Sequence, residues 1–137
     1  MKRDNVATPT YILKALEEEF GPIFDPCPLN PNWNKETDVD GLAIPWGKFT
    51  FVNPPYSNVH PWLKKAQEEH ALGNTVVLLL KINTLYRQYF EQYAGVELRF
   101  FNHRIQFPPY PTCAMFGSML VVFGQNRGCY KMVDYRT

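Results

Sequence analysis

Asn53-Pro54-Pro55-Tyr56 brings together residue types that could activate an amine. An exocyclic amine conjugated to a ring is a weak nucleophile, because its lone pair is spread into the ring. Two acceptors aimed at its N–H groups draw the nitrogen toward tetrahedral geometry and localise that pair. The Asn53 side-chain carbonyl can be one acceptor and the Pro54 backbone carbonyl the other. Proline keeps its C=O and lacks only the N–H, and its ring fixes φ, so two prolines in succession aim carbonyls stiffly. Tyr56 adds a flat face on which a ring can stack. The chemistry this suits is methyl transfer to a planar amine. Asn-Pro-Pro alone is also an ordinary turn, since Asn tolerates unusual backbone angles and Pro presets φ. Context has to separate the two.

The elements around the motif favour a site. Phe49 to Val52 reads as an apolar strand that delivers Asn53 at its end. Pro22-Ile23-Phe24-Asp25 is a short strand candidate ending in a carboxylate. Before it, Thr8 at the N-cap and Pro9 at the first helical position start a helix. Ile12, Leu13, Leu16 and Phe20 recur at helical spacing and Gly21 stops it. Residues 26–48, with Pro26, Pro28, Pro31 and Pro45, read as a long loop, and loops of that length are usually functional. His60-Pro61 begins a second helix that Gly73 ends. Thr75 to Lys81 is a strand without alternation, as in a parallel sheet covered on both faces. Thr84 to Tyr93 reads as a third helix. Val96 to Phe101, Arg104 to Phe107 and Met115 to Phe123 read as strands, with a last short one around Tyr130.

This order predicts one α/β domain over residues 1–137. Its sheet is expected to be mostly parallel, with an antiparallel C-terminal hairpin and helices on both faces. Ligands bind beyond the carboxyl ends of the strands in such sheets, which places Asp25 and Asn53 on one rim. A net charge of +1 gives no overall attraction to nucleic acid, so any such binding needs a local patch. Three cysteines, Cys27, Cys113 and Cys129, form neither a zinc pattern nor a disulfide framework, which suits a reducing interior. Residues 1–20 lack the apolar core of a signal peptide, and Val76 to Leu80 is too short to span a bilayer. A cytoplasmic protein without membrane association is expected.

Several blocks resemble the small phage-type DNA N6-adenine methyltransferases, relatives of the wider amino-methyltransferases of DNA. They are Ala7-Thr8-Pro9 with Glu19-Phe20-Gly21, Phe24-Asp25-Pro26-Cys27, and Asp40-Gly41-Leu42 followed by Trp46. Asn53-Pro54-Pro55-Tyr56-Ser57 with Pro61-Trp62 is the most specific block, and Phe116-Gly117-Ser118 opens the closing strand. The resemblance runs from about Ala7 to Gly124. It implies a reduced Rossmann-like sheet and methyl transfer from S-adenosylmethionine to adenine N6 in DNA, with the base flipped into the Asn-Pro-Pro-Tyr pocket. Asn53, Pro54, Pro55 and Tyr56 would be catalytic. Asp25, Pro26, Cys27, Asp40 and Asn53 would bind the donor, Asp25 through its ammonium and Asp40 through its adenosine half. Phe24 and Trp33 are candidates to flank the donor's adenine. Ser57, Lys64 and Arg104 would contact DNA. A viral or prophage setting follows, with DNA modification against restriction as one role.

Two features depart from the wider family. Pro28-Leu29-Asn30-Pro31 stands where a glycine-rich turn lets backbone approach the donor. Only 28 positions separate Asp25 from Asn53, too few for two further βα units. A pared-down sheet without a target-recognition domain is therefore expected, and specificity would be weak or come from a homodimer or a partner subunit. Rival functions are a degenerate fold that binds nucleic acid or a partner, and methylation of cytosine N4, RNA adenine or a protein glutamine.

Structural roles compete at other positions. Asp25 could cap a turn, Asp38 and Asp40 could be solvated, and Cys27 suits a small buried thiol. Trp46 and Trp62 suit packing. Lys81 could face phosphate or solvent. Arg87, Arg99, His103 and Arg104 could form a DNA-facing patch with Lys64 and Lys65, although scattered charges ordinarily coat a solvated surface. His60 and His103 have no partners at metal-ligand spacing.

Overall fold

The computed structural model describes residues 7–28 and 40–136. The expectations for Leu29, Asn30, Pro31, Trp33 and Asp38 fall outside them.

Helix α1, Thr10–Phe20, forms because Ile12 and Leu16 recur one turn apart and are fully buried. Gly21 stops it at φ 103, where its N–H reaches the Glu17 carbonyl at 2.9 Å. The helix starts one residue later than its sequence suggests. Pro9 occupies the cap, and the Thr8 hydroxyl is committed elsewhere. The expected strand at Pro22 to Asp25 shrinks to one parallel bridge, Phe24 to Thr50, on the outer side of strand β1, Phe49–Val52. Between them the long loop holds a 3-10 turn at Gly41–Ala43. Helix α2, His60–Ala71, begins with Pro61 in its first turn and buries Trp62, Leu63 and Ala66. Full burial of a side chain such as Leu63 contributes about 1.5–3 kcal/mol. Strand β2, Thr75–Lys81, is buried except at its two ends.

The third helix expected at Thr84 to Tyr93 is replaced by two 3-10 segments, Ile82–Tyr86 and Gln88–Tyr93. Arg87 between them is extended (φ −77, ψ 135) and breaks any continuous helix. Strand β3 is Glu97–Phe101, β4 is Ser118–Phe123, and β5 is Tyr130–Val133. Arg104 to Phe107 forms no strand; the Ile105 carbonyl accepts instead from the Ala114 N–H at 2.8 Å.

The strand order is β1-β2-β4-β3-β5. β1 pairs parallel with β2 and β3 with β5, while β4 runs antiparallel to both neighbours. The sheet is therefore mixed, which corrects the mostly parallel expectation. The reversed strand lies in the interior and the C-terminal edge strand is parallel. An apolar strand reads alike in both directions, so its sequence does not carry its orientation. Helices do cover both faces. α2 packs with Val52, Val76, Leu78, Leu80 and Val121, and α1 with Phe49, Phe51, Val77, Leu79 and Leu120.

Candidate active site

Parallel pairing points the chain at Phe24, β1 and β2 the same way, so Asp25, Asn53 and Lys81 emerge on one rim. β4 starts there too, because Ser118 lies opposite Lys81. β3 ends there, since Phe100 lies opposite Met119. The Asn-Pro-Pro-Tyr turn closes through the Pro55 carbonyl, which accepts from the Asn58 N–H at 3.0 Å. Pro54 is buried, and no backbone bond among the described residues engages its carbonyl.

The half-buried Asn53 amide is held from one side only. Its Nδ2 donates to Thr8 Oγ1 at 3.1 Å, while Oδ1 is buried without a partner among the described residues. A buried acceptor left unsatisfied costs about 1–3 kcal/mol, which a ligand's N–H recovers. Tyr56 stands edge-on to Phe116 (5.7 Å, 90°) and to Phe107 (6.5 Å, 80°). Lys81 Nζ lies 5.1 Å from the Tyr56 ring and 4.5 Å from that of Phe116.

Asp25 and Asp40 each organise a local turn. Asp25 Oδ1 accepts from the Cys27 N–H at 2.8 Å, and Asp40 Oδ1 from the Leu42 N–H at 2.9 Å. The two turns are pressed together at Gly41, where a Cβ would fall 1.9 Å from the Pro26 carbonyl oxygen. Only glycine allows that approach. Trp46 Nε1 donates to the Gly41 carbonyl at 2.8 Å, and Trp46 stacks on Trp62 at 6.2 Å, so both tryptophans pack as expected. Glu69 anchors this side, accepting from Trp46 N, Asn74 and Lys65. Burial alone would raise the Glu69 pKa, but those bonds bring it down.

Asp25 keeps contact with solvent, yet the chain crowded around it desolvates the carboxylate and raises its pKa despite the Cys27 N–H bond. No ion pair with it is formed among the described residues. Burial, with the Asp25 charge second, pushes the Cys27 thiol up to about 11, so it stays protonated. Asp25, without an ion pair, and the orphaned Asn53 oxygen thus lie on one rim, with a turn pair fixed around Gly41 beside Asp25.

A cleft of about 310 Å³ is lined by Tyr56 and Ser57, among others. Lys64 and Arg104 are exposed but do not line it, and Lys65 is paired with Glu69 at 2.8 Å. Arg99 does not belong to a DNA-facing patch. It is 1% exposed and binds Glu19 (2.6 Å), Glu97 (3.0 Å) and Tyr135 (3.0 Å). Its spacing of two from Glu97 puts both on one face of β3, a signal the sequence does carry. Thr8, Phe107 and Phe116 join the site, although the sequence marks Thr8 only as a helix cap and Phe107 and Phe116 only as strand residues. No group of three metal-ligating side chains occurs among the described residues, and none of the described helices is long and apolar enough to cross a membrane.

A mixed five-stranded sheet clad with helices, with an amide oxygen and a carboxylate on one rim, is consistent with a methyltransferase fold. The chain belongs to the DNA N-6-adenine-methyltransferase (Dam) family, whose model matches residues 1–131. It is similar to the DNA N-6-adenine-methyltransferase of Haemophilus phage HP1 (strain HP1c1), with 32% identity over 89 residues. That match takes in 59% of this chain and 51% of the relative, so the chain spans about half the relative's length. No solved structure matches the chain.

Proposed function

We propose that this protein methylates adenine N6 in DNA with S-adenosylmethionine as donor. The observation that carries this is the buried Asn53 Oδ1, which has no partner among the described residues while its amide nitrogen is tied to Thr8. When bound, S-adenosylmethionine supplies the electrophile, a methyl carbon on a cationic sulfur. Asp25 holds the donor's ammonium, Asp40 its adenosine half, and Pro26 and Cys27 form the wall between. Tyr56, braced by Phe107 and Phe116, stacks the flipped base. Asn53 Oδ1 accepts one amine N–H and the Pro54 carbonyl the other, localising the nitrogen lone pair for attack. The amine's surplus proton passes to water. Because these acceptors are fixed before the reaction, no reorganisation is needed as charge develops. Ser57, Lys64 and Arg104 contact the DNA strand.

Removing a preorganised group of this kind costs about 2.7–4 kcal/mol, so Asn53→Ala should lower kcat roughly 10²–10³-fold. The test is transfer of a labelled methyl group into DNA, with digestion to nucleosides to locate it. N6-methyladenine from the wild type and its loss in Asn53→Ala, with donor affinity intact by calorimetry, support the proposal. Label on cytosine, RNA or protein instead, or equal loss of transfer and donor binding, refutes it.

A further inference from the structure

The cleft that Tyr56 lines has a charge character that gripping an amine does not explain. Lys81 and Arg87 both line it, and no aspartate or glutamate does. Neither cation forms an ion pair among the described residues. Uncharged hydrogen-bonding residues, Ser57, Asn58, Asn83 and Thr84, share the lining. His60 stacks on Tyr89 at 4.2 Å, and its buried Nε2 has no partner among the described residues. Two cations without ion pairs, lining one concavity that no carboxylate lines, suit an anion. Lys64 and Arg104 differ, being exposed charges that do not line this cleft.

The position of the cleft narrows the anion. Tyr56 is shared: its ring belongs to the aromatic corner and also lines the cleft. Lys81 Nζ, 5.1 Å from that ring, stands at the junction. An anion covalently attached to whatever stacks on Tyr56 would therefore lie in the cleft, whose 310 Å³ has room for a phosphate and its sugar. The extended backbone at Arg87, which interrupts the two 3-10 segments, brings a second cation to the same space.

We infer that this cleft seats the phosphodiester next to the target adenine, with Arg87 and Lys81 as its charge partners and Asn83 as a neutral donor. It thereby sets the register of the strand, so that the base directly attached is the one presented to Asn53. The inference rests on the proposed function.

The test measures binding of a short single-stranded oligodeoxynucleotide with one adenine, by fluorescence anisotropy over a series of salt concentrations. Arg87→Gln and Asn83→Ala are exposed-site changes, and a thermal melt confirms folding. Arg87→Gln should weaken binding roughly tenfold and reduce the slope of log K against log salt by about 0.7, one phosphate contact on a single strand. Replacing the linkages flanking the adenine with uncharged methylphosphonate should weaken the wild type more than Arg87→Gln, in which Lys81 is the remaining charge partner. The same replacement far from the adenine should weaken both proteins equally. Asn83→Ala should weaken binding without changing the salt slope. An unchanged slope in Arg87→Gln, or equal sensitivity of both proteins to the flanking replacement, overturns the inference even where Asn53→Ala still abolishes transfer. Loss of the Asn53 effect with the Arg87 results intact overturns the base site alone.

Discussion

Replacing Thr8 with valine preserves the side chain's shape and deletes the oxygen that accepts from Asn53 Nδ2 at 3.1 Å. Thr8 lies 45 positions before Asn53 and just outside α1, so the change leaves both the turn and the helix intact. What it removes is the hydrogen bond that restrains the Asn53 amide plane: among the described residues, Oδ1 has no partner to hold the other side. A net hydrogen bond of this type is worth about 0.5–1.5 kcal/mol. If all of that serves to keep Oδ1 aimed at the substrate amine, kcat should fall roughly 2- to 12-fold. Single-turnover methyl transfer reports the chemical step, and calorimetry reports donor affinity, which should not move. Thr8→Ser restores the oxygen and should restore the rate, which separates positioning from general destabilisation. An unchanged rate in Thr8→Val would refute the reasoning, as would a loss that Thr8→Ser fails to recover.

Gly41→Ala puts a Cβ 1.9 Å from a backbone oxygen of Pro26, so the Asp25 and Asp40 turns must part. Overpacking of this sort costs about 1–3 kcal/mol, and donor affinity measured by calorimetry should fall roughly tenfold or more; an unaltered Kd would dissociate the two turns from donor binding. Arg99→Met leaves Glu97 buried without its cation and should cost about 3–5 kcal/mol in urea unfolding, with a loss near zero contradicting the network. The Arg99 hydrogen bond lowers the Glu19 pKa below 4.5, so its stabilisation is present above that pH and is lost as pH falls through the folded-state value. Arg99→Met should erase that part of the acid-unfolding profile. Asp25 has a pKa above its ordinary 3.8 in the unliganded protein, and a donor ammonium would favour its charged form. Donor affinity should therefore fall as pH drops through the raised value, and Asp25→Asn should flatten that dependence; an identical profile in both proteins removes Asp25 from the donor site.

Elements whose signals are local proved legible. β1 has the bounds its apolar run implies, and α1 and α2 stop where Gly21 and Gly73 let the chain adopt positive φ. The turn after Asn53 was legible as a turn because Pro54 and Pro55 limit the backbone at adjacent positions. Features that depend on distant partners were not legible. The spacing of Leu85, Tyr89 and Tyr93 suits a helix, yet Arg87 turns extended and the segment settles as two 3-10 pieces. Arg99 looks like a surface cation until α1 supplies Glu19 from 80 residues away. Thr8 looks like a helix cap until the fold carries Asn53 to it. In each case tertiary contact decided between local states of similar energy.

The reversed course of β4 has a consequence for how the proposed base site is walled. Because β3 finishes and β4 begins at the same end of the sheet, residues 102–117 have to travel across that end. Phe107 and Phe116 ride on this span, so the wall behind Tyr56 is built from a connector, not from a strand. Had β4 been parallel to its neighbours, it would have entered from the opposite end and left Tyr56 without that backing. Length and composition of the connector can thus vary, reshaping what the tyrosine accepts, while the pairing that fixes Asn53 stays as it is.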